Sequence, residues 1–526
     1  MTDLPPLAAI FLTHFDDIKG QSVVFYASLP DLPAKTIEHT TLPSGLHVLD
    51  SDLVLFTHHD LPGAGVFRSR LSDEGTRGRR MGTLGVVLAP PSVPSDLFAL
   101  HSPLAELFDQ LEALESSPFA PSSSTNPSSA VSLLAKTWHD HRADSKAGST
   151  KVKSTSSSAS GEEARRMVEG LISGRGGMGS LPIEHPVAYL PSLLGVLGPS
   201  IVPIYKAALS GQRILLYSTP PLLPLAAFAW CIWAMSLPPS SAHDAETSVW
   251  LGNVGLMDLI EVKDRKGGWI ATTSDAIYRS HHNVYDVFID LSSIPLSSFT
   301  DPHLHQTPEL PTSIPTPRIL STYNQPPTPI TYSFADLPLY RSLLLLSSSP
   351  PTVHAGISKT GGWWLLAFEL IERAWKLCVG VCEFAVGRGG GQVHLEDGEE
   401  DARLLDDTVD LDLDNGIITS LEEAEAEAEA EGEEEDEAVR RGRLILRQFQ
   451  HNTFHLNHQL RSTINSRPRS RTNGQVTSSA SSPLTNTELR YLVGSKWFGG
   501  GGVGPEGRFW QDIARVWGVT VATEDN

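Results

Sequence analysis

The feature that most constrains this chain is the run PLAAFAWCIWAMSLPP, which carries no charged residue and is bounded by Pro224 and Pro238. The stretch left between the prolines, Leu225 to Leu237, is well short of the roughly 20 residues that a membrane span needs. A helix that is apolar on every side has to be buried. It therefore reads as a core helix, in preference to one that lies on a membrane surface or faces a partner, and no transmembrane segment is expected. A core able to enclose it needs apolar material. The 40% hydrophobic fraction and 11 Trp supply that, and 526 residues exceed the roughly 250 to 300 at which single cores stop growing. Two or three domains are expected.

The formal charge of −21 is concentrated in one place: 21 of the 61 acidic residues and one of the 40 basic ones (Arg403) lie between Glu396 and Glu437. The remainder is balanced, so no nucleic-acid partner is expected, although local basic patches are left open. The acidic segment is expected to be a disordered insertion. Like charges at i, i+4 oppose helix formation in its Glu-Ala run, and it could screen the basic stretch Arg440, Arg441, Arg443 and Arg447. The cysteines Cys231, Cys378 and Cys382 cannot make a disulfide framework, and the start MTDLPPL lacks a basic leader region. A reducing, cytoplasmic setting follows as the expectation.

Periodicity places a hairpin at the start, Ala8 to Phe15 and Ser22 to Ser28, around the turn Asp16-Asp17-Ile18-Lys19-Gly20. Strands are expected at Leu53 to Thr57, Gly65 to Arg70 and Met81 to Ala89, with an amphipathic helix over Leu104 to Leu114. Residues 116–181 form a Ser/Pro-rich linker interrupted by a helix near Ala130 to Trp138. The block 182–392 is expected to hold helices over Val187 to Leu197 and Ile201 to Leu209. Its strands are placed at Arg213 to Tyr217, Trp269 to Thr272 and Val284 to Leu291, followed by a Pro-dense loop from Pro295 to Pro329 and a helix over Trp363 to Ala385. Residues 439–526 follow the acidic insert 393–438 as a helical block (Val439 to Leu460, Glu488 to Val493, Phe509 to Trp517) with a basic linker between. The fold class expected is mixed, α+β and α/β.

Chemistry-bearing motifs are scarce. Gly174, Gly176 and Gly179 match G-x-G-x-x-G by letters but open no helix after a strand. Ser358-Lys359-Thr360 lacks the glycines of a phosphate loop, and Asp410, Asp412 and Asp414 lack the sixth-position Gly and twelfth-position Glu of a calcium loop. There is no G-x-S-x-G and no H-E-x-x-H. His451, His455 and His458 share one helical face, opposite Leu446, Phe449, Thr453, Leu456 and Leu460. With no nearby carboxylate or Cys, that face reads as solvated, so no metal or cofactor is expected. Cys378 and Cys382 read as buried structural thiols, and His58-His59 as a loop feature. The absence of such motifs points to a binding module.

Three places carry a family resemblance. IFLTHFDDIKGQSVVFY resembles the first hairpin of the longin-type upstream module of DENN-domain proteins. YLPSLLGVLGPSIVPIYKAALSGQRILLYS resembles the entry to their central module, and GGWIATTSDAIYRSHHNVYDVFIDL its Thr-Thr element and following strand. GLHVLDSDLVLFTH, VFRSR and RRMGTLGVVL are similar to the LCHN-type branch in a fungal-looking version. The resemblance implies a longin-like module over 1–115, a central α/β DENN module over 182–392 and a helical downstream module.

It further implies a guanine-nucleotide exchange factor for a Rab-type small GTPase in vesicle trafficking, acting on the nucleotide-free GTPase. Recruitment to membranes would then come through partners. The alternative is a non-catalytic trafficking scaffold or effector of the same fold. Partner-binding candidates are His14, Phe15, Asp16 and Asp17 at the hairpin tip and Thr272, Thr273, Ser274 and Asp275 after a strand, since loops at strand ends carry recognition. The blander reading is that Asp16 and Asp17 shape a turn while Thr273 and Asp275 cap a helix near Ala276.

Overall fold

In the computed structural model the described residues are 4–71, 78–114, 129–143, 165–171, 184–238, 248–299, 316–322, 327–333, 336–347, 436–465, 492 and 505–519. The helix expected at Trp363 to Ala385, nearly all of the acidic segment and most of Glu488 to Val493 lie outside them.

The fold is mixed α/β, built on one sheet to which eleven strands contribute. The N-terminal strands are β1 (Leu7–Asp16), β2 (Gly20–Ser28), β3 (Ser51–His58), β4 (Leu61–Leu71) and β5 (Arg79–Leu88). They pair antiparallel in the order β3-β4-β5-β1-β2. The second half holds β6 (Ile214–Tyr217), β7 (Val249–Asn253), β8 (Trp269–Thr273) and β9 (Val287–Asp290). These run parallel in the order β9-β6-β8-β7. Parallel strands are covered on both faces and read as apolar runs, and the fully buried Ile214–Tyr217 fits that rule. Antiparallel β10 (Arg318–Ser321) and β11 (Thr328–Pro329) extend the far edge.

The two halves meet where β3 pairs antiparallel with β7, in register at Phe56 and Gly252. Gly252 directly follows the bulge of β7, at which Leu251 is left out of the register with β8, and it has φ +66°. A Cβ there would lie 2.5 Å from the Leu55 carbonyl oxygen and 2.8 Å from the Phe56 Cα. Only glycine allows the two half-sheets to come this close.

The apolar run forms α6 (Leu223–Met235), with Pro224 through Met235 all buried. The helix α1 (Ile37–Thr41) lies after β2, α2 (His101–Leu114) and α3 (Ser129–His141) follow β5, and α4 (Leu190–Leu197) and α5 (Ile201–Leu209) precede β6. α7 (Leu259–Asp264) follows β7, and α8 (Leu337–Ser347), α9 (Glu437–Asn465) and α10 (Pro505–Val516) come later in the chain. One face of α6 lies on β8, β7, β6 and β3, thereby bridging the seam, while residues 186–189, α4 and α9 cover the rest of it. Gln450 Nε2 donates to the Ala234 carbonyl at 2.9 Å, and Tyr205 OH pairs with Thr453 Oγ1 at 2.7 Å. These bonds tie α9 to the core, although the whole acidic segment separates it from the preceding elements.

Several expectations change. Part of the expected linker, α3, packs on β1, with Ala143 N donating to Leu7 O at 3.0 Å. The Pro-dense loop contains β10, whose Ile319 is buried, and Pro329 is tolerated because it lies on the edge strand. β9 is shorter than expected because Val284 closes a turn onto His281 instead of entering the sheet. Arg440 and Arg441 pair with Glu437 of their own helix. The stretch Pro186–Leu209 reaches the length and mean hydropathy, 1.7, of a membrane span. It is interrupted by a 3-10 turn at Gly198–Ser200, and its apolar residues pack inside the fold.

Asp52, at the start of β3, caps α6 across the seam. Its carboxylate accepts from Leu222 N at 2.6 Å and Leu53 N at 2.9 Å, and α6 has no side-chain cap of its own. Burial pushes the Asp52 carboxyl up to about 6, against the lowering effect of the backbone N–H groups. Because the folded value lies above the unfolded one, the folded state binds the extra proton between about pH 4 and 6. This group's contribution therefore stabilises at low pH and is lost as pH rises through 6. Relative to an Asp52→Asn variant, the wild type is expected to lose on the order of 2 to 3 kcal/mol of unfolding free energy over that window. Denaturant titrations of both proteins at pH 4 and 7 check this, and parallel pH profiles would refute it.

Candidate functional site

The carboxyl ends of β7 and β8 lie at the seam, and α1 lies across it, between them and the β1–β2 hairpin. On the hairpin side, Gln21 Nε2 donates to Leu42 O at 2.7 Å and Gln21 Oε1 lies 2.5 Å from His39 Nδ1. Thr13 and Thr41 share a buried hydroxyl contact at 3.3 Å. On the parallel side, Thr40 Oγ1 donates to Asp258 Oδ2 at 3.3 Å, Asn253 Nδ2 to Thr40 O at 3.2 Å, and Ser274 Oγ to Ser44 O at 2.8 Å. Asp258 also accepts from Gly255 N at 2.8 Å, and its carboxyl is raised, chiefly by burial. The 37–44 segment thus stitches both halves together, and the two sets of sequence-derived candidates lie on either side of it.

Those candidates differ in character. Asp16 Oδ1 accepts from the N–H groups of Ile18 and Lys19, each at 2.8 Å, which closes the hairpin turn and holds the carboxyl low. Asp17 is exposed, whereas Phe15 and His14 are half-buried, and the His14 imidazole is lowered mainly by burial. Thr272, Thr273, Ser274 and Asp275 are all buried, Asp275 at 9% exposure. Thr273 Oγ1 donates to Val254 O at 2.8 Å and accepts from Asp275 N at 3.2 Å. Asp275 therefore stands inside the fold and not on an exposed strand end, and this element ties the seam together from within. It precedes a 3-10 turn, Ala276–Ser280, to which Asp275 gives no side-chain cap.

The exposed groups at this edge are ones that sequence reasoning missed. After β7 come Leu256, Met257 and Ile260, exposed at 53%, 55% and 72%, and after β8 comes Ile277. Neighbouring parallel strands end on the same side of a sheet, and that edge is where open α/β sheets bind ligands. The signal lay in the sequence GLMDLI, where four large apolar residues flank one acidic group. It was obscured because β7 itself went unrecognised.

Nothing here resembles an acid/base or nucleophile arrangement. The hydroxyl of Tyr278 donates to Gly255 O at 2.9 Å and is pushed well above its usual range by burial, aided by the nearby Asp258 and Asp275 carboxylates. Among the described residues no cluster of at least three His, Cys, Asp or Glu is placed to hold a metal ion. Hydrogen-bonded polar groups at this edge are thus rimmed by exposed apolar side chains.

A large mixed α/β sheet of this build is consistent with a DENN-domain protein. Residues 10–299, more than half of the chain, match the family model of DENN domain-containing protein 11, and the chain belongs to that family. It is 23% identical over 303 residues to DENN domain-containing protein 11 of Xenopus laevis, an alignment covering 56% of this chain and 63% of that protein. It is 24% identical over 311 residues to the Rattus norvegicus protein of the same name, covering 55% and 58%. The same identity holds over 314 residues with the protein ANR2 of Saccharomyces cerevisiae, again covering 55% and 58%. The chain thus spans about three-fifths of the length of these curated relatives.

Proposed function

We propose that this chain is a guanine-nucleotide exchange factor for a Rab-type small GTPase. The GTPase would seat on the seam edge formed by the hairpin tip, α1 and the loops after β7 and β8. The observation that carries this reading is the exposed apolar set Leu256, Met257, Ile260 and Ile277 at the edge where the two half-sheets are tied together. Membrane recruitment would come through the GTPase, with the chain itself cytoplasmic.

Exchange needs no nucleophile. A roughly 10⁴-fold faster release corresponds to about 5.5 kcal/mol off the exit barrier, and contacts made only with the opened GTPase can supply that by differential binding. Apolar side chains that become fully desolvated in such a complex are the usual hot spots.

The test is a GDP-release screen of purified Rab proteins against the full chain. For the responding Rab, Met257→Asp with Ile260→Asp is expected to lower the stimulated rate at least roughly 30-fold, since truncating a hot spot alone costs about 2 kcal/mol. Circular dichroism should be unchanged, because both side chains are exposed. The tightest complex should be with nucleotide-free GTPase and should dissociate on adding GDP or GTP with Mg²⁺. Preference for the GTP-loaded form would identify an effector or scaffold, and undiminished exchange by the double variant would move the site elsewhere.

A further inference from the structure

We propose that His451 and His455 on α9 form a two-imidazole chelate for a divalent first-row transition ion, copper(II) in first place. The pair lies one helical turn apart, where side chains at i and i+4 face each other. Its ring centroids are 4.3 Å apart, and the two Nε2 atoms are 2.9 Å from one another. Two metal–nitrogen bonds of about 2.0 to 2.1 Å meeting at a right angle span about 2.9 Å, whereas a tetrahedral angle spans about 3.3 Å. The spacing therefore favours a tetragonal centre, which copper(II) and then nickel(II) adopt, and copper(II) also heads the affinity order for nitrogen sites.

The helix under the pair is held in place. Phe449, Asn452, Thr453 and Leu456 are buried on the opposite face, and Tyr205 OH reaches both Phe449 O and Thr453 Oγ1. The chelate is thereby preorganised on a rigid element. Both imidazoles are lowered, first by burial and then by neighbouring positive charge, from His455 and Arg447 on His451 and from His458 on His455. In the ion-free state one Nε2–H donates to the other Nε2. On metal binding that proton moves to Nδ1 of its own ring, so both Nε2 atoms ligate and no net proton is released.

The sequence triplet thus resolves into two ligands. No third His, Cys, Asp or Glu among the described residues completes the set. The site is separate from the seam edge and independent of exchange activity.

The test titrates copper(II) chloride into the full chain in a non-coordinating buffer, with electron paramagnetic resonance and thermal unfolding as readouts. The wild type should show a tightest site with two-nitrogen hyperfine structure and a midpoint that rises on loading. His451→Ala and His455→Ala should each weaken that site at least roughly 10-fold, because a second tethered ligand binds at high effective concentration, and each should abolish the midpoint shift. His458→Ala should leave both readouts unchanged. Wild-type affinity in either of the first two variants would overturn the proposal, as would an equal loss in His458→Ala. The chain has 19 His, and copper held equally well by all three variants would be adventitious only.

Discussion

Gly252→Ala is expected to lower the thermal midpoint by several degrees and to open the seam between the half-sheets. Two costs coincide at this position. The residue sits at φ +66°, where a side chain costs on the order of 1 to 2 kcal/mol. The added methyl would also press on the Leu55 carbonyl and Phe56 Cα, and such overpacking costs about 1 to 3 kcal/mol. Backbone neighbours cannot rotate away as a side-chain tip can, so the strain has to be relieved by separating β3 from β7. Thr57 Oγ1, which donates to Trp250 O at 3.3 Å, would be drawn apart with them. Hydrogen exchange should show lost protection in residues 51–58 and 249–253, while the hairpin pair β4 and β5 stays protected. Unchanged protection at the junction, with an unchanged midpoint, would show that the halves are not held this tightly. Because the candidate partner edge spans the same seam, Rab-stimulated exchange should fall in this variant too.

The second large effect reverses the usual sign of a helix substitution. Gly442 lies inside α9, and replacing glycine by alanine in an exposed helix interior stabilises by about 1 kcal/mol. Here a Cβ would stand 2.0 Å from the Val187 carbonyl oxygen and 2.8 Å from its carbon. Gly442→Ala should therefore destabilise the protein by roughly 3 kcal/mol or more, since overpacking at a backbone contact cannot be relieved by a rotamer change. The affected contacts would be those that dock α9: Tyr205 with Thr453 and Phe449, and Gln450 with Ala234. Proteolysis should then cut within 437–465 far faster than in the wild type. A modest gain in stability would mean that α9 does not rest on residues 186–189.

These two glycines mark the limit of what could be read from the chain. The hairpin of β1 and β2, the helices α2, α5 and α6 and the strands β3, β4, β5 and β8 were legible because their signals are local. They are runs of alternating or helically spaced apolar residues, or in α6 an unbroken apolar run, bounded by turn residues or prolines. The solvent-facing histidines of α9 were legible for the same reason, since one periodicity assigns both faces of a helix. At the candidate site the sequence singled out two regions, the Asp16–Gly20 turn and the Thr272–Asp275 element, but not how their side chains are placed. It offered no means of seeing that Thr273 and Asp275 turn inward, or that Met257 and Ile260 turn outward.

What the sequence determined by itself is a chain whose folded blocks are set by apolar periodicity and whose net negative charge is confined to one segment. Burial and charge patterning are local properties of composition, and they need no partner to be read. Only the tertiary structure decided that both halves share one sheet and that Asp52 caps a helix some 170 residues away. It also decided that α1 is the stitch between them, and that two of three histidines stand at chelating distance. Each of these depends on which backbone atoms approach across long separations in sequence. Such approaches are selected by the packing of the whole core, in which a missing Cβ or a single carboxylate matters only because of what happens to face it.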